Sequence, residues 1–176
     1  LMAIYYGDGS NSNTGRVIKV SYADSSAYGR TSVTATSGGG ESHQKVLWTA
    51  LTHSKVSSTS HLRCQMHLTG HGKYSYPYYG TGVRADYNGG NYTTFHGSNY
   101  SIGAYIGSGQ VLWLIDYTFT PSNLNNQTGN VTFKALYRSV GGGNDRPFNI
   151  WNPNASDDGR GFQKQSVCIV TEFVPN

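Results

Sequence analysis

HLRCQMHLTG, residues 61–70, alternates without interruption. Leu62, Cys64, Met66 and Leu68 fall on one parity, and His61, Arg63, Gln65, His67 and Thr69 on the other. Successive side chains of an extended chain point to opposite faces, so this stretch predicts a strand with one apolar and one polar face. Similar patterns lie on both sides of it. RVIKVSYA (16–23) starts the body, and KVLWTALTH (45–53) places Val46, Trp48 and Ala50 on one side. NVTFKALYRSV (130–140) sets Val131, Phe133, Ala135 and Tyr137 against Thr132, Lys134, Leu136 and Arg138. QVLWLIDYTFT (110–120) is apolar on both faces at its centre and predicts an interior strand. QSVCIVTEFVP (165–175) closes the chain.

Between these runs lie turn clusters: SGGGE, SSTS, YNGGN, NLNNQTGN, VGGGND and NASDDGRG. No stretch sustains helical periodicity. Strands separated by such turns predict an all-β fold, an antiparallel sandwich of jelly-roll type in a single domain. The 176 residues suit one core. Residues 1–15, a small apolar knot followed by a Gly/Ser/Asn tract, are expected to form an N-terminal arm. Residues 16–176 form the sandwich, with a Tyr/Gly-rich loop or hairpin region at about 70–110.

Charged residues are 12% of the chain, about half the ordinary share, while Gly and Tyr number 23 and 14. The 13 Lys and Arg are scattered singly, which argues against the clustered basic stripe that nucleic acid requires. No run reaches transmembrane length, and the opening MAIYYGDG lacks the basic start and apolar stretch of a secretory signal. Synthesis in a cytosol from Met2 is therefore expected. Cys64 and Cys168 both sit in apolar runs and are expected to be buried thiols.

The residues that carry chemistry do not assemble into a catalytic pattern. His61, His67 and His71 share a parity, but six residues along a strand span about 20 Å, too far to share one ion. Asp157 and Asp158 are adjacent within a turn whose composition explains them. There is no GxSxG, and the Gly-rich pieces lack the Lys-Ser/Thr ending of a phosphate loop. No catalytic residue, metal or cofactor is expected.

What remains is surface. GKYSYPYYGTG (72–82) crowds tyrosines among glycines, and a tyrosine supplies large contact area at little conformational cost. Tyr74, Tyr76, Tyr78, Tyr79, Arg84 and Tyr92 are the candidate ligand-contact residues, suited to stacking on sugars or to a protein interface.

The order GRVIKV, LTHSKVSSTSHLRC, GTGVRAD, DYTFTP, NVTFKALYRS, PFNIWN and RGFQKQSVCIVTEF resembles small β-sandwich structural proteins of marine tailed phages, cyanophages above all. The resemblance covers most of residues 15–174. It implies a non-enzymatic virion component of a tail fibre, spike or head decoration, made in the host cytoplasm. The implied partners are further copies of the chain in a homotrimer, other virion proteins held through residues 2–15, and host-surface carbohydrate. Membrane and nucleic acid are not among them. The alternative is a free carbohydrate-binding module, and after that a glycan hydrolase.

Overall fold

A computed structural model describes residues 15–24, 31–35, 45–72, 78–87, 92–97, 109–140, 146–150 and 166–175. Among these residues the chain forms ten strands: β1 (Arg16–Asp24), β2 (Thr31–Ala35), β3 (Lys45–Lys55), β4 (His61–Gly72), β5 (Tyr78–Tyr87), β6 (Tyr92–Gly97), β7 (Gly109–Phe119), β8 (Gly129–Val140), β9 (Arg146–Ile150) and β10 (Val167–Val174). All the pairings are antiparallel.

The pairings have a simple order. β1 pairs with β10, β2 with β9, β3 with β8, β4 with β7, and β5 with β6. Each strand counted from the start thus meets its counterpart counted from the end, and the chain is one long hairpin whose tip is the β5–β6 connection. That hairpin is rolled so that, apart from β2–β9, which stays with β1–β10 in the first sheet, its pairs alternate between two sheets. The first sheet contains β1, β10, β4 and β7, with β9 and β2 continuing it, and the second runs β3-β8-β5-β6. Without the β2–β9 pair, four strands face four in the arrangement of a jelly roll. β7 lines one edge of β4 from Leu62 to Gly72, while β10 and then β9 share the other.

The core fills from parity. Leu62, Cys64, Met66 and Leu68 are buried on β4, opposite Val83 and Ala85 of β5 and Val131, Phe133 and Ala135 of β8. Each large apolar side chain buried in this way contributes about 1.5–3 kcal/mol. Three rings step across the gap between sheets. Tyr117 meets Phe119 edge-on at 4.8 Å, and Phe119 meets Phe133 at 5.6 Å. After β7 the chain turns through a short 3-10 segment, Ser122–Leu124, with Leu124 buried. Asn125 and Asn126 take positive φ, which asparagine tolerates better than most residues.

Two expectations change. β3 does not hold one parity, because its register slips between Val46 and Trp48 and again between Thr49 and Leu51. Val46 is consequently exposed while Leu47 and Trp48 are buried. β7 is not interior: among the described residues it pairs with β4 alone, and Leu114 on its outer face is 67% exposed. Of its apolar run, Ile115 is buried and Leu114 lies outside. The hairpin β5–β6 falls within 70–110, so that stretch supplies two strands of the second sheet.

Candidate functional site

Among the described residues, a buried polar network joins β1, β3 and β10. Glu172 occupies an inward position of β10 and is fully buried. Its Oε1 accepts the Ser57 N–H at 3.0 Å and the Ser60 hydroxyl at 2.5 Å, and the Val56 N–H lies 2.9 and 3.0 Å from its two oxygens. Its Oε2 lies 3.1 Å from Nε2 of the equally buried His53 on β3. On the other side of that ring, Nδ1 is 2.9 Å from the Ser21 hydroxyl on β1. Lys55 Nζ donates to the Ser57 carbonyl, and Lys19 Nζ donates to the Ser54 carbonyl at 3.2 Å.

Charge follows from these contacts. Burial works to raise the Glu172 pKa but is outweighed by the hydrogen bonds from Ser60, Ser57, His53 and Val56, so the carboxyl stays below its ordinary value. Burial lowers His53 further than Glu172 raises it, with Lys19 and Lys55 adding to the lowering, and the ring is held neutral. Lys55 is also lowered, by burial, with the Glu172 charge opposing.

Ser21, His53 and Glu172 have the connectivity of a hydrolytic triad, but their surroundings make them a clasp. A nucleophilic serine needs an open approach and donors aimed at a developing oxyanion. Here the His53 ring and the Glu172 carboxylate are fully buried, and the Val56 and Ser57 N–H groups are committed to Glu172. The network instead ties β1 and β10 of the first sheet to β3 and the β3–β4 turn of the second.

Outside the core, the outer face of the first sheet presents rows read directly from the register. Val17 faces Phe173 and His61; Val20 faces Thr171 and Arg63; Tyr22 faces Ile169 and Gln65; Asp24 faces Val167 and His67. On the β1 side the face is apolar, with Val17, Val20 and Tyr22 at 56%, 56% and 60% exposure. On the β4–β7 side, polar groups lie beside the exposed Leu114. Arg63 clamps Asp116 through two hydrogen bonds, and Gln65 adds a third at 3.1 Å. The Arg63 hydrogen bonds hold the Asp116 carboxyl below its ordinary value.

Four of the six candidate contact residues, Tyr78, Tyr79, Arg84 and Tyr92, are spread along the β5–β6 pair. Tyr78 and Tyr79 open β5 opposite Val140 and Ser139, whereas Tyr92 begins β6 opposite Tyr87. Nine strand residues, about 30 Å, separate Tyr78 from Tyr87. Arg84 lies between them with its guanidinium on Asp86, at 2.5 and 2.9 Å, and Lys134 reaches the same carboxylate at 2.7 Å. Tyr74 and Tyr76 lie outside the described residues. Cys64 and Cys168 are buried thiols with sulfurs 4.0 Å apart, about twice the length of a disulfide bond.

No family model and no curated protein matches the chain. Solved structures do. A chain in a structure described as infectious bursal disease virus, Gt strain, aligns with 11% identity and a TM-score of 0.50, over 100% of this chain and 47% of that one. A chain from the Gx strain aligns with 10% identity and a TM-score of 0.46, over 100% and 41%. This chain therefore spans less than half the length of the solved chains it matches. The first likeness agrees with the strand order: the protein is an all-β jelly roll.

Proposed function

We propose that the chain is a non-enzymatic structural component of a virus particle, one jelly-roll module of a shell, spike or appendage. The observation that carries this reading is the nested strand order, β1-β10-β4-β7 facing β3-β8-β5-β6, an arrangement used by capsid domains. A solved chain from a virus particle aligns with the whole length of this one, which supports the same reading. The Ser21–His53–Glu172 network is consistent with it, since its hydrogen bonds hold strands of the two sheets together. In finer form, the resemblance to tailed-phage proteins makes the chain a head or tail appendage, with the tyrosines of 74–79 meeting host glycans.

Co-sedimentation tests the reading. Antibody raised against the chain should find it in density-purified particles, in many copies each; a chain confined to the soluble fraction overturns the proposal. A glycan array tests the finer part, with binding lost on replacing Tyr76 and Tyr78 by Ala.

A further inference from the structure

We propose that β1 is a releasable strand, latched to the sandwich through His53 and let go in mild acid, an inference independent of the particle reading. Among the described residues β1 pairs with β10 alone and stands at the end of the first sheet. No residue of β1 is fully buried, whereas its neighbour β10 buries Cys168, Val170 and Glu172. The β1–β10 register also slips between Val17 and Lys19. Across to the second sheet, β1 is tied by the Ser21 hydroxyl, 2.9 Å from His53 Nδ1, and by Lys19 Nζ, which donates to the Ser54 carbonyl at 3.2 Å.

The neighbouring strand β10 is fastened separately. Glu172 accepts from the Val56 and Ser57 N–H groups and the Ser60 hydroxyl, and none of these bonds passes through β1. The latch strand can therefore leave while the remaining strands stay closed, a local opening of the kind open to elements with few buried contacts.

The trigger is the buried ring. The charges that reach it are Glu172 from β10, Lys19 from β1 and Lys55 on its own strand. The β3–β4 turn adds only the Ser57 and Ser60 groups that hold Glu172, β8 sets Val131 opposite His53, and β4 sets Leu62 opposite Glu172. In the closed form burial and the two lysines hold the ring neutral, below its ordinary 6.5. When β1 leaves it takes Lys19 and the hydroxyl at Nδ1 with it, while Glu172 stays. The open form then binds a proton more tightly than the closed form. Closure due to the neutral ring is complete above about 6.5 and is lost as pH falls from there through the closed-state value. One such proton raises the open fraction by up to about tenfold per pH unit. Release leaves the β10 edge without its partner, so a fall in pH becomes an open sheet edge.

Hydrogen exchange of the full chain between about pH 7.5 and 5 tests the latch, above the range in which Glu172 titrates. After correction for the chemical exchange rate, protection of the β1 amides should fall by up to about tenfold per pH unit below about 6.5, while the β4 and β7 amides keep theirs. His53→Gln should remove this pH dependence. Ser21→Ala leaves the ring in place and should lower β1 protection at about pH 7.5 by about two- to tenfold, sparing β4 and β7. Should His53→Gln not fold, the parent profile and Ser21→Ala decide the question. Protection lost from all strands together, β1 protection that is indifferent to pH, a dependence that survives His53→Gln, or a Ser21→Ala chain that protects β1 like the parent each overturns the latch.

Discussion

Replacing Glu172 with Gln keeps the shape of the clasp and removes its charge. The carboxylate serves the Val56 and Ser57 N–H groups, the Ser60 hydroxyl and the His53 ring. A glutamine whose oxygen takes the Oε1 position retains Ser57 and Ser60 as neutral hydrogen bonds, but its amide then faces His53 as a donor. His53 can answer by moving its proton to Nδ1 and donating to Ser21, so the ring is not orphaned. What is lost is charge assistance on about three bonds, roughly 1 kcal/mol each, or about 2–4 kcal/mol in all. With an m-value of about 2 kcal/mol per molar urea, the midpoint should fall by about 1–2 M with the slope unchanged. A double-mutant cycle with His53→Gln should show strong non-additivity, since the two side chains share one network. A midpoint within about 0.3 M of the parent would refute the clasp.

Acid should loosen the same network in two steps. His53 is held below its ordinary 6.5, so the stability it contributes is present above that value and drains as pH falls from 6.5 through its folded pKa. Glu172, held below 4.5, adds a second loss as pH falls from 4.5 through its folded pKa. Urea midpoints from pH 8 to 4 should show the first step, and His53→Gln should abolish it. Phe133→Ala removes the ring that links the sheets through Phe119 and should cost about 3–5 kcal/mol, whereas Leu114→Ala on the exposed face should stay within about 0.5 kcal/mol in the same urea titration. Thiol titration should find Cys64 and Cys168 unreactive in the folded protein and both reactive in denaturant; hydrogen bonding to Cys168 and burial hold the Cys64 thiol well above its ordinary pKa.

The sequence made β4 fully legible, because nothing interrupts its alternation and one face packs on the core. β3 was legible as a strand but not in its facing. Two register slips move the inward parity from Trp48 to Leu51 and His53, so counting from Trp48 puts His53 on the wrong side. That is why the ring at the centre of the clasp could not be found by pattern. Glu172 could have been, since it continues the inward series Cys168 and Val170 in an otherwise apolar strand. β7 misled because a doubly apolar centre looks the same in an interior strand and in an edge strand with an exposed leucine. The tyrosines suggested a contact surface by type alone, and residue type carries no distance: the backbone sets Tyr78 and Tyr92 toward opposite ends of β5.

The pairing of first strand with last sets how the sandwich bears load. Arg16 lies opposite Val174, so the chain enters and leaves the body at adjacent points, and Gly15 sits so close to the Val174 carbonyl that an added Cβ would come within 2.6 Å of it. Tension applied through these two points would pull β1 and β10 apart like a zipper, breaking their hydrogen bonds one after another and never many at once. Such a body yields easily to traction along its own chain. It resists force only when gripped through its faces, where every strand shares the strain.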